Sequence, residues 1–134
     1  MDELFIERGV IHVADRLDLM ASLAPVNRQP EFSEDAVLKL LDQLQRRYRY
    51  VVLDVPVFTT GLMPRALHLP SVFVLVSDGR LASAREIRRW RETLGPDVPG
   101  RTVLHILNRH GSPGDLPMED FARAAGHAPD VVIP

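Results

Sequence analysis

Two unbroken apolar runs dominate the hydrophobic pattern of this chain. Tyr50-Val51-Val52-Leu53-Asp54-Val55-Pro56 is apolar up to an aspartate, and Ser71-Val72-Phe73-Val74-Leu75-Val76 carries no charge. Runs of this length predict strands. Ser71 to Val76, continuous rather than alternating, reads as a strand buried on both faces of a parallel sheet. Further short strands are predicted over 9–15, 102–107 and 131–133. Helices fall between them. Val37, Leu40, Leu41 and Leu44 recur at i, i+3, i+4 and i+7, which predicts an amphipathic helix over 33–47. Ser33 suits its N-cap, and Glu34 and Asp35 suit the positive end of its dipole. A second helix is predicted over 81–94, with Leu81, Ala84, Ile87, Trp90 and Leu94 inward. Its other side carries Arg85, Glu86, Arg88, Arg89, Arg91 and Glu92. Shorter helices are predicted over 118–125 and, more weakly, over 62–69 behind Pro64, and residues 1–7 read as the end of a preceding helix. Residues 16–32, containing Pro25 and Pro30, read as irregular, and 97–100 and 110–117 as surface turns.

Strands that alternate with helices predict an α/β fold, a three-layer α/β/α arrangement around a mainly parallel sheet. The 134 residues contain no repeat, low-complexity tract or linker, so 1–134 reads as a single domain. The chain stops on a strand with no closing helix, which suggests part of a longer domain.

Composition narrows the class. Apolar residues make up 46 %, charged residues 25 %, and the formal net charge is -2. This is an ordinary globular balance with no generic electrostatic affinity for nucleic acid, and no nucleic-acid partner is expected. With no cysteine, disulfides and thiolate metal sites are excluded. No stretch approaches the roughly 20 apolar residues of a membrane span. The start Met1-Asp2-Glu3-Leu4 is acidic and lacks the basic start of a signal peptide, so the expected location is cytoplasmic. Of the 16 basic residues only Lys39 is a lysine, so chemistry that needs a lysine must use it.

The candidate chemistry lies where predicted strands end. In an open parallel sheet, ligands sit beyond the carboxyl ends of the strands. Asp54 stands at such an end. It suits a loop cap, and it also suits a carboxylate that holds a magnesium-bound water beside a phosphate. Asn108-Arg109 follows the 102–107 strand, and an asparagine amide there offers a purine edge both a donor and an acceptor, or simply fills a turn. Thr59 and Thr60 are loop hydroxyls with weaker claims. The arginines over 85–91 read as a solvated face interspersed with glutamates, and Trp90 as a core anchor. His12, His68, His105, His110 and His127 show no metal-ligand spacing, and no Gly-x-Ser-x-Gly elbow occurs.

Four segments in order carry a resemblance: 48–56 (Tyr-Arg-Tyr-Val-Val-Leu-Asp-Val-Pro), 77–85 (Ser-Asp-Gly-Arg-Leu-Ala-Ser-Ala-Arg), 107–111 (Leu-Asn-Arg-His-Gly) and 129–134 (Pro-Asp-Val-Val-Ile-Pro). Together they resemble the MinD/ParA-type P-loop ATPases, and within them the CpaE/TadZ branch that serves assembly of Flp (tight-adherence) pili, from about Leu4 to Pro134. The resemblance implies a P-loop NTPase-like fold that binds ATP and magnesium. Asp54 would be the Walker B-like catalytic and metal-side acid, Pro56 would open the nucleotide-sensing switch loop, and Asn108 and Arg109 would lie against adenine. It also implies a homodimer that works with pilus-assembly proteins, at a cell pole or the inner-membrane face. The departure is large: no strand, glycine-rich loop and helix bearing the phosphate lysine occurs in these 134 residues, and Lys39 sits in mid-helix. Without that backbone N–H cradle the chain is not expected to hydrolyse ATP alone. The missing strand would stand beside the Asp54 strand, which predicts unpaired edges in the sheet.

Two rival readings remain from sequence. One is a degenerate relative that has lost nucleotide and acts as a localisation or interaction module. The other is a response-regulator receiver, which also places an aspartate at the end of a central strand. A receiver needs an acidic pair after its first strand and a lysine after a late one. Asp15 has no adjacent acid, and residues 101–111 hold no lysine.

Overall fold

The computed structural model describes residues 8–21, 33–55, 65 and 68–134. It forms two compact units, Met1–Leu67 and His68–Pro134.

In the first unit, strand β1 (Val10–Ala14) turns at Asp15–Arg16 into β2 (Leu17–Met20). The two pair antiparallel, Val10 opposite Met20 and Ile11 opposite Leu19, with the register slipping between His12 and Ala14. The hairpin corrects two expectations: residues 17–20 are not irregular, and the first strand, among the described residues, pairs only antiparallel, with β2. A four-residue Leu-Asp-Leu-Met strand is too short to announce itself by pattern and forms because β1 is its immediate neighbour. His12 Nδ1 lies 2.9 Å from Asp18 Oδ1, and the Tyr48 hydroxyl donates to the other oxygen of Asp18. The tyrosine hydrogen bond, then that of His12, holds the Asp18 carboxyl below its ordinary range.

Helix α1 (Glu34–Arg47) buries Leu41 and Leu44, two members of its apolar stripe. Its acidic first turn (Glu34, Asp35) and basic last turn (Arg46, Arg47) both oppose the helix dipole favourably. Ser33 occupies the N-cap position with extended backbone but makes no side-chain cap; its carbonyl accepts from Val37 N–H at 3.1 Å. Residues 50–55, expected to be a strand of the parallel sheet, pair with nothing among the described residues. Val52 is 93 % exposed there. An apolar run has the propensity of a strand, but a strand exists only where a neighbour takes its N–H and C=O groups. The helix expected over 62–69, that over 1–7, Thr59 and Thr60 fall wholly or largely outside the described residues.

The second unit is α/β. Strands β3 (Ser71–Ser77), β4 (Arg101–Leu107) and β5 (Val131–Val132) form a parallel sheet in the order β3-β4-β5. Helices α2 (Leu81–Leu94) and α3 (Met118–Ala125) connect them. β3 and β4 run in register from Ser71 opposite Arg101 to Ser77 opposite Leu107, and β5 adds only Val131 and Val132 beside Ile106 and Leu107. Odd-numbered residues of β3 and β4 face the helices. Ala84, Ile87, Leu107, Phe121 and Ala125 form the core, with Leu75, Leu116, Met118 and Ala124 packed on it. Of the inward stripe read for α2, Ala84, Ile87 and Leu94 are buried, Trp90 is half-buried, and Leu81 is exposed. After α3, Gly126 takes the left-handed conformation (φ 82) that ends many helices and that glycine adopts without a Cβ clash.

The even-numbered face is bare. Val72, Val74 and Val76 are 61, 48 and 61 % exposed, and Leu104 on β4 is also exposed. The expectation that β3 is buried on both faces is therefore corrected. Among the described residues it ends the sheet, and the helices of this unit cover one side only.

Candidate functional site

The loops that leave β3 and β4 meet at the carboxyl edge of the sheet because the two strands are parallel and in register. Asn108 donates its backbone N–H to the Ser77 carbonyl at 2.8 Å, which extends the ladder one step beyond β4. Asp78 then caps the entry to α2. One of its oxygens accepts from Arg80 N–H at 3.2 Å and from the Ser83 hydroxyl. The serine hydrogen bond is the main reason that the Asp78 carboxyl lies below its ordinary range, with the Arg80 N–H adding to it against the effect of burial.

Gly79 is required by close approach. A Cβ there would stand 2.4 Å from Asp115 Cγ, inside any permitted contact. Its carbonyl accepts from Leu116 N–H at 2.9 Å, so the loop after β4 lies directly on the loop after β3. The Asp115 carboxylate gathers that second loop, since its Oδ2 accepts from the backbone N–H of both Gly111 and Ser112 at 3.0 Å. Arg109 is the one described non-glycine residue with positive φ (58), and its N–H donates to its neighbour Asn108 Oδ1 at 3.1 Å.

Asn108 and Arg109 thus stand where the sequence puts them, at the end of a parallel strand. The acceptor of the Asn108 amide already serves the turn, and its Nδ2 is the atom left to donate. Asp54 lies in the other unit, exposed, in a segment with no regular structure, and Pro56 lies outside the described residues. Among the described residues no group of three histidines or carboxylates converges to hold a metal ion. The N–H groups of Arg80, Arg109, Gly111 and Ser112 serve the oxygens of Asp78, Asn108 and Asp115. A phosphate cradle needs such groups free, so these residues do not fit one.

Sequence reasoning missed a second cluster beneath this edge. His105 on β4 is completely buried, and its Nε2 is 2.9 Å from Ser77 Oγ. Its ring stacks on Phe121 (centroids 5.7 Å, planes 23° apart) and tilts against His127 at 5.2 Å. Asp130 closes the strand edge here: its Oδ2 accepts from His105 N–H at 2.7 Å, and its own N–H donates to the His105 carbonyl at 2.9 Å. The Arg91 guanidinium reaches Asp130 Oδ2 and the Val103 carbonyl. Burial, with His127 and Arg91 adding positive charge nearby, pushes the His105 pKa down to about 4, and burial and Arg91 lower His127 as well.

A serine bonded to a histidine invites comparison with a nucleophile and its base. The geometry argues otherwise. His105 lies on the helix-covered face under Phe121, and its Nδ1 has no partner to orient it. Asp130 bonds the backbone of His105, not its ring. The pair is a core hydrogen bond. Its signal in the sequence is the position of His105 between Val103 and Leu107, on the inward parity of an alternating strand.

A parallel strand pair, helices over one face and loops gathered at the carboxyl edge define an α/β protein of the open-sheet class. No protein-family model matches the chain, and no curated protein and no solved structure is significantly similar to it. Among the described residues no helix is long and apolar enough to cross a membrane.

Proposed function

We propose that this chain is a pilus-assembly or pilus-localisation protein of MinD/ParA ancestry, of the CpaE/TadZ kind, that does not hydrolyse ATP by itself. The observation that carries the reading is the carboxyl edge of the second unit. There the parallel β3–β4 pair sets the 77–80 and 107–111 segments, which belong to the stretches that carry the resemblance, side by side. In this account Asp54 is the relic of a metal-side acid, Pro56 opens the former switch loop, and Asn108 and Arg109 mark the former adenine contact. The protein works as a scaffold in the cytoplasm, at a cell pole or the inner-membrane face, as a homodimer among pilus-assembly proteins.

A specific observation favours the nucleotide-free version of this reading. The backbone donors at the edge are spent on Asp78, Asn108 and Asp115, and two carboxylates beside a phosphate would repel it. Deleting the gene in its host and measuring surface pilin tests the proposal. Pilin display should fall sharply and return when either the wild-type chain or its Asp54→Ala variant is supplied. Unchanged piliation in the deletion strain contradicts the pilus reading, and rescue by wild type but not by Asp54→Ala contradicts the retired site.

A further inference from the structure

We propose that the outer edge of β3 pairs antiparallel with β3 of a second copy, about a two-fold axis beside Val74, joining two three-stranded sheets into one. The inference is argued from this strand; it gives a geometry to the homodimer proposed above, and its readouts are independent of piliation. β3 ends the sheet, and no described residue pairs with its outer side. The hydrogen-bond phase says which groups are left over. Ser71 N–H donates to the Gly100 carbonyl and the Ser77 carbonyl accepts from Asn108 N–H, so the odd residues of β3 are turned toward β4. In a parallel ladder alternate residues point each way, which leaves the N–H and C=O of Val72, Val74 and Val76 directed outward.

Natural edge strands are guarded by a charge, a proline, a bulge or brevity. β3 has none of these over its seven residues, Ser71-Val72-Phe73-Val74-Leu75-Val76-Ser77. It also reads almost the same in both directions, and this selects a second copy as the occupant. Antiparallel pairing centred on Val74 sets Val74 opposite its own counterpart and Val72 opposite Val76. Phe73 then meets Leu75, and Ser71 meets Ser77. The valine pairs are the ones with outward backbone groups, so each exchanges both N–H···O=C bonds, as an antiparallel hydrogen-bonded pair requires. Every cross-strand neighbour matches in polarity, no like charges meet, and β-branched pairs of this kind favour the sheet. A two-fold axis perpendicular to the sheet keeps the helices of both copies on one side. The exposed valines of both copies then form one continuous apolar face, and the contact is isologous and closed rather than fibre-forming.

Sedimentation equilibrium of the wild-type chain should show a reversible dimer, and in hydrogen exchange the amides of Val72, Val74 and Val76 should be protected in the dimer. Val74→Lys brings two like charges together at the axis and should raise the dimer dissociation constant at least about tenfold. Val74→Glu should do the same, and an equimolar mixture of the two variants should restore a heterodimer. Leu104→Lys, on the same bare face but on β4, should leave the dimer intact. Circular dichroism of each variant should match wild type, because the side chains changed are exposed. A wild-type chain that stays monomeric overturns the proposal, as does fast exchange of those three amides in the dimer. A dimer lost in Leu104→Lys but kept in Val74→Lys overturns it in favour of sheets stacked face to face. Normal piliation of a deletion strain would alter none of these readouts.

Discussion

Phe121→Ala should destabilise the 68–134 unit by about 3–5 kcal/mol, the range for truncating a buried aromatic. Phe121 is 1 % exposed, shares the buried core cluster with its neighbours Ala84, Ile87, Leu107 and Ala125, and stacks on His105. Three of those neighbours lie on helices and are small or rigidly held, so the backbone cannot close over the space left behind. The truncation also unroofs His105 and admits water to a ring nitrogen that has no partner. Against a total stability of about 5–15 kcal/mol for a domain, that loss is large. Urea unfolding followed by circular dichroism measures it. Leu81→Ala on the exposed side of α2 is the control and should change stability by no more than about 0.5 kcal/mol. A Phe121→Ala loss as small as that of the control would mean that α3 does not hold the core together.

Acid should weaken the same unit through His105. Its folded pKa, about 4, lies below the ordinary 6.5 because burial, His127 and Arg91 all disfavour the imidazolium, and Asp130 only partly offsets them. The unfolded chain therefore takes up the proton first. The stability tied to a neutral His105 is fully present above about pH 6.5 and is lost as pH falls toward 4. The difference of about 2.5 units corresponds to roughly 3 kcal/mol. His127 moves in the same direction and steepens the fall. Unfolding midpoints across that window give the slope, and His105→Leu, apolar and of similar size, should flatten much of it. An equally steep slope in His105→Leu would place the sensitivity elsewhere.

Helices α1 and α2 were legible because their apolar residues recur on one side, and all three described helices follow the predicted spans almost to the residue. β3 and β4 were legible as apolar segments between turn signals, and with them the position of Asn108 at a strand's carboxyl end. What the sequence could not supply was neighbours. Residues 50–55 have the composition of a central strand and stand unpaired, while Leu17–Met20 has a weak pattern and is a strand, because β1 lies beside it. For the same reason the apolar run of β3 could not reveal that one of its faces is bare. The His105 cluster was hidden because it joins residues far apart in the chain, from Ser77 to Asp130, none of which forms a motif with the next. Only the inward parity of β4 hinted at it.

The proposed function takes the parallel sheet to descend from a nucleotide enzyme and to hold no phosphate. Isothermal calorimetry of the 134-residue protein with magnesium-ATP, alongside Asp54→Ala, tests this most directly. The account predicts no micromolar binding by either protein, since the backbone donors at the sheet edge already serve carboxylates and the Asn108 amide. Micromolar binding to the wild type that disappears in Asp54→Ala would contradict it and show that phosphate is held without a glycine-rich loop.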